Sequence, residues 1–162
     1  MTIVSNTGPL IGLAKIRQLG LLGGLGAAVY IPPQVQLELL ARSGPETPSI
    51  AAALKASLQV KSSPALNAGD EEVLRRLDEG ERQAIALARS FPPPVLLLLD
   101  DRAGRSAALK LGQPVTGVAG ILLLAKQKGL IPLVVPLIEE LRSQGYWLSE
   151  ELVVVVRKLA SE

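Results

Sequence analysis

Short apolar runs alternate with stretches of helical periodicity along the whole chain. Residues 2–5, 27–31, 58–61, 95–99 and a short piece at 114–116 read as strands, with helices filling the gaps. That alternation predicts an α/β fold with a mainly parallel central sheet. The run Val95–Leu99 is apolar without alternation, as a central strand covered on both faces requires. Pro32 and Pro33 follow a strand and fit the first turn of a helix. Segments 44–49 and 62–70 read as loops, and the prolines at 92–94 as a rigid connector. The tail carries two opposed signals. Val153–Val156 favours a strand by propensity, whereas Ser149 followed by Glu150 and Glu151 resembles a helix start. We expect a helix there. No repeat or second domain is visible, so residues 1–162 are expected to form one domain.

Composition narrows the chemistry more than the fold. There is no cysteine and no histidine. Disulfides, Cys/His zinc sites, thiol nucleophiles and histidine-based triads are therefore excluded. Catalysis must rest on carboxylates, hydroxyls, Lys/Arg or a metal held by oxygen. The net charge is only +2, with basic residues scattered among acids. Tyr30, Phe91, Tyr146 and Trp147 are too few for a broad base-stacking platform. The aromatics of the segment 145–149 are expected to anchor the core, as is the apolar segment 129–141. The apolar stretches at 19–31 and 117–125 fall short of the roughly 18 residues a membrane span needs. With no charged leader or signal core at the start, the expectation is a cytoplasmic protein without a membrane partner.

In open α/β sheets, ligands gather beyond the carboxyl ends of the strands. Asn6 ends the first strand, Asp100 and Asp101 the fourth, and Thr116 the fifth. Each has a plain structural role open to it. Asn6 or Thr7 can cap the helix beginning near Pro9, Asp100 or Asp101 the helix of residues 102–112, and Thr116 can be a turn residue. Glu81 precedes Ala84, Ile85 and Ala88 at helical offsets, which puts it at the start of the apolar stripe. Glu38 sits beside Leu39, at the edge of another buried face. Should Glu38, Glu81 and Asp101 converge near Asn6, they must protonate, recruit Lys/Arg or bind a cation. A hard divalent ion with oxygen ligands is the natural solution.

The ordered stretches 3–16, 29–40, 77–88, 96–112, 115–131 and 145–152 resemble the PIN-domain family, the metal-dependent ribonuclease fold that includes VapC-type toxins. The likeness is to an uncharacterised prokaryotic branch of PIN-like proteins described as predicted nucleic-acid-binding. It covers nearly the whole chain. It implies a three-layer fold, a central, mainly parallel sheet of four or five strands flanked by helices. It also implies acidic residues that meet at one end of the sheet and bind Mg²⁺ or Mn²⁺. Carried over position by position, the first-strand acid falls on Asn6. The others fall on Glu38, Glu81 and Asp101, with Asp100 beside the last. Asn6, Glu81, Asp100 and Asp101 would hold the metal, Glu38 would assist catalysis, and the hydroxyls of Thr7 and Thr116 match positions that bind water or phosphate. RNA is the implied substrate, with an antitoxin-like protein and a homodimer as further implied partners. The departure is Asn6: its carbonyl can ligate a hard cation but brings no charge and cannot act as a carboxylate base. The resemblance thus leaves two readings open, a ribonuclease with a weakened site and a PIN fold that only binds RNA or protein. A phosphoacceptor receiver, suggested by Asp100–Asp101, fits poorly. Receivers place their acid pair after the first strand, where this chain has Ser5, Asn6 and Thr7.

Overall fold

The computed structural model describes residues 1–162. Strand β1 (Thr2–Ser5) runs through the middle of a five-stranded sheet, all of it parallel. β2 (Ala28–Ile31) and β3 (Leu58–Val60) extend it on one side, β4 (Val95–Leu98) and β5 (Val115–Thr116) on the other, giving the order β3-β2-β1-β4-β5. In register, Thr2 stands between Ala28 and Val95, and Val4 between Tyr30 and Leu97. The expected strands are all present, each shorter by at most a residue at an end. Helices fill the connections: α1 (Thr7–Lys15), α2 (Leu21–Gly24), α3 (Pro33–Ala41), α4 (Thr47–Ala56), α5 (Ala68–Leu74), α6 (Glu79–Ser90), α7 (Arg102–Lys110), α8 (Val118–Gln127), α9 (Val135–Ser143) and α10 (Glu150–Ala160).

Alternating residues of the central strands serve two cores. Ile3 and Leu98 join the larger, with residues of α1–α4 and α8–α10. Val4, Leu97 and Leu99 join the smaller, with residues of α5, α6 and α7. This is the three-layer arrangement of a parallel sheet buried on both faces. β4, Val95–Leu98, is apolar throughout for that reason.

Several local expectations need correction. The segment 44–49 is a loop only in part, because α4 begins at Thr47, with Pro48 in the first turn where its missing N–H costs nothing. Likewise α5 takes Ala68–Asp70 from the expected loop 62–70. Asn67 starts it by accepting a hydrogen bond from the Asp70 N–H at 2.8 Å. α10 is a helix despite its valines: the Ser149 side chain accepts from the Leu152 N–H, and Val153, Val156 and Ala160 form its buried stripe. Tyr146 packs against the larger core, but Trp147 is 83% exposed and is no core anchor. In the segment 129–141, Ile131, Val134, Val135, Ile138 and Leu141 are buried, while Leu130 and Leu133 stay exposed. No helix is long and apolar enough to cross a membrane.

Candidate active site

The chain leaves β1 for β2 and β3 on one side and comes back to β4 on the other. The turn after β1 and the turn after β4 therefore face a crevice at the carboxyl end of the sheet. Their closeness is fixed by the backbone: the Asn6 N–H donates to the Leu98 carbonyl at 2.9 Å. Asn6 follows β1, and Asp100 and Asp101 follow β4. Glu38 comes from α3, and Glu81 from the first turn of α6.

Asn6 occupies the N-cap position of α1, yet its side chain caps nothing. Its Oδ1 is buried and has no hydrogen-bond partner. Glu38 lies close by. A Cβ built on Gly80 would stand 2.8 Å from the Glu38 Oε1 and 3.3 Å from the Asn6 Oδ1. A side chain at position 80 would push the Glu38 carboxylate aside, so the glycine lets α6 stand against both groups as they are. The Thr7 hydroxyl donates to Glu38 Oε2, and the Gln34 amide, one helical turn earlier on α3, donates to Oε1 at 3.4 Å.

Glu81 is 8% exposed. With Asp78 it forms a capping box at the start of α6: the Asp78 carboxylate accepts from the Glu81 N–H at 2.8 Å, and the Glu81 carboxylate accepts from the Asp78 N–H at 3.2 Å. The first-turn role read from the sequence is thus real. Burial, with the charges of Asp78, Asp101 and Glu38 behind it, nevertheless pushes the Glu81 carboxyl up to about 7, against the Asp78 N–H that lowers it. A capping role alone would favour the ionised form. The upward shift marks Glu81 as one member of an acidic neighbourhood drawn from α3, α6 and the turn after β4.

The two aspartates differ. Asp101 is exposed and caps α7, accepting from the Gly104 N–H at 2.8 Å through Oδ2. Asp100 commits both oxygens inside the protein. Its Oδ1 accepts from the Val118 N–H of α8 at 3.1 Å, and its Oδ2 accepts from the Tyr146 hydroxyl. Burial raises the Asp100 pKa, while Tyr146, the Val118 N–H and the Arg105 guanidinium oppose the rise. Burial and the Asp100 charge push the Tyr146 phenol above its usual range. Thr116, the last residue of β5, is half-buried.

The structure therefore brings Asn6, Thr7, Glu38 and the start of α6 together, with Glu81 and Asp101 within electrostatic reach. It sets Asp100 in a network with Tyr146. No three acidic side chains stand close enough to make a ready-formed metal cage. The donor chemistry fits a hard cation all the same: an orphaned buried carbonyl oxygen at Asn6 and, at Glu81, a buried carboxyl facing other acids. A cleft of about 630 Å³ lined by Met1, Phe91, Pro93 and Gln113 lies at the other end of the sheet, where the strands begin, and holds no acid.

A family model described as a PIN domain matches residues 2–162. The chain belongs to the PIN-domain family. A search among curated proteins finds no match. The PIN domain is a nuclease-type fold whose members use divalent metal ions, and it points to nucleic acid as a partner. The five-stranded parallel sheet between helices is the fold expected of a PIN domain. Sequence reasoning missed two side chains that hydrogen-bond the candidate acids, Gln34 on Glu38 and Tyr146 on Asp100. Gln34 was within reach, since it precedes Glu38 by one helical turn. Tyr146 was not, because nothing local ties residue 146 to residue 100.

Proposed function

We propose that this PIN domain is a Mg²⁺- or Mn²⁺-dependent phosphodiesterase that cuts single-stranded RNA at a site weakened by Asn6. The supporting observation is the orphaned Asn6 Oδ1, buried beside Glu38 and next to the α6 turn that carries Glu81. Asn6, Glu81 and Asp101 would hold the metal, with Asp100 beside them. When bound, the ion would supply an activated water and neutralise charge developing on the phosphoryl oxygens. Glu38, steadied by Thr7 and Gln34, orients the attacking water. Glu81, with a pKa near neutrality in the free protein, can hold a proton at its carboxylate. Tyr146 and the Val118 N–H fix Asp100. The Thr7 and Thr116 hydroxyls would bind water or phosphate in this reading. A toxin-like role with an antitoxin-like protein partner belongs to the same reading.

The test uses purified protein on single-stranded RNA with Mn²⁺ or Mg²⁺. Cleavage that stops in EDTA and in Asp101→Asn supports the proposal; cleavage unchanged by either defeats it. A second reading, a PIN fold that binds RNA without cutting, is favoured by the neutral Asn6 and by Glu38 having both oxygens occupied. Asn6→Asp separates the two. A gain of metal binding and cleavage from an inactive parent supports the degenerate site, and robust cleavage by the parent eliminates it.

A further inference from the structure

We propose that the cleft at the amino end of the sheet binds a small aromatic carboxylic acid that carries a ring N–H. The cleft holds about 630 Å³, within the range of sites that enclose small molecules. Its walls are mostly apolar: the rings of Phe91, Pro93 and Pro94 and the Leu96 side chain. Phe91 is braced by the Tyr30 ring, with centroids 4.6 Å apart, and by the Lys61 ammonium 4.5 Å from its own centroid. Ring walls held in this way favour a flat, rigid body, because neither side loses much freedom on contact.

Two polar groups line the same space, and their chemistry selects the ligand. Gln113 is 6% exposed. Its Nε2 donates to the Val95 carbonyl at 3.2 Å and to the Pro114 carbonyl at 3.0 Å. Both neighbours can only accept, so the amide nitrogen must face them. The Gln113 Oε1 is left without a protein donor, yet it is not one of the sealed orphan oxygens, which are those of Asn6 and Thr47. It is therefore reachable, and the cleft is the space that Gln113 lines. An acceptor on so buried a side chain calls for a ligand N–H. Arg89 is the second group. It donates to the Leu111 carbonyl and to Asp70 Oδ2 at 3.2 Å, which fixes the guanidinium and leaves it further N–H donors. No carboxylate lines the cleft, and Lys61 stands behind Phe91 as a second cation. Asp70 offsets one of the two charges, so the cleft keeps a positive field suited to a carboxylate. None of the acids at the carboxyl end touches this cleft, so binding here is independent of RNA cleavage.

Indole-3-acetate is the probe, since it joins a flat apolar ring, a ring N–H and a carboxylate. Titrated into the full chain and followed by two-dimensional amide NMR, it should bind with a Kd below about 1 mM. The shifts should centre on Ala88, Arg89, Phe91, Leu96 and Gln113. Indole-3-acetamide lacks the charge, and 1-methylindole-3-acetate lacks the N–H. Each should bind about tenfold more weakly. These analogues test the two contacts without altering the fold. Arg89→Gln should then bind the acid and the amide alike, and Gln113→Ala the methylated and unmethylated acids alike. A Kd above about 1 mM overturns the proposal. So do shifts centred on Asn6 and Glu81, analogues that bind the parent chain as well as the probe does, or a folded Arg89→Gln variant that still prefers the acid.

Discussion

At the scale of single residues, the site is governed by two departures from ordinary side-chain behaviour, a carboxyl raised to near neutrality and a carbonyl without a partner. Glu81 has an ordinary value of 4.5 and a folded value of about 7. Between those values the folded chain keeps a proton that the unfolded chain releases. Stability therefore falls as pH rises through that window and is level above it. Glu81→Gln keeps the side-chain acceptor of the capping box and removes the charge. It should stabilise the fold by about 1 kcal/mol at pH 8, after allowance for solvent screening, and change little at pH 4. Thermal melts at the two pH values check this; equal effects at both would remove the electrostatic account. Asn6→Asp makes the opposite change. A new carboxylate in the buried position beside Glu38 should cost about 1–3 kcal/mol without metal. Mn²⁺ should recover that loss. If the variant is as stable as the parent in EDTA, Asn6 and Glu38 do not share the environment described here.

At the scale of elements, the Tyr146–Asp100 contact depends on how α1 meets the loop before α10. A Cβ at Gly12 would lie 2.8 Å from the Tyr146 Cε2, so α1 accepts the ring only because position 12 has no side chain. Gly12→Ala should destabilise by about 1–3 kcal/mol through overpacking. In a Tyr146→Ala background the same change should cost nothing, or gain the roughly 0.5–1 kcal/mol by which alanine exceeds glycine in a helix. Additive losses in that double-mutant cycle would show that the ring is not what position 12 accommodates. The contact also shows what a sequence can carry. The strands were legible because residues such as Val95–Leu98 declare burial on both faces by composition alone. α10 was legible from the Ser149 cap although its valines argued otherwise. Glu81 was legible from its place on an apolar stripe. The start of α4 was missed because Pro48 reads equally as a loop residue and as a first-turn residue. Trp147 was misplaced because apolar character does not say which interface buries a side chain. Tyr146 could not be assigned to Asp100, since that pairing joins segments 46 residues apart in sequence and is created by the packing of α1.

At the scale of the whole molecule, the strand order decides where chemistry can occur. The reversal beside β1 opens the sheet at its carboxyl end, and the chain delivers its acids there from three separated segments. The cleft at the opposite end, lined by Phe91 and Pro93, has the volume of a ligand site but none of the acidic groups. A divalent ion that binds the folded chain alone must raise its stability by mass action, by about 2.7 kcal/mol at a hundred times its Kd. For a chain of 162 residues that corresponds to a rise in Tm of about 5–10 °C. Mn²⁺ titration followed by thermal melting should show this rise in the parent, a larger one at equal concentration in Asn6→Asp, and almost none in Asp101→Asn or Glu81→Gln. Gln113→Ala, at the far cleft, should respond as the parent does. A shift that survives Asp101→Asn and Glu81→Gln but is lost in Gln113→Ala would move the metal to the wrong end of the sheet. The carboxyl-end crevice would then lose its claim to the chemistry, because the same ion cannot be held by groups at both ends of the strands.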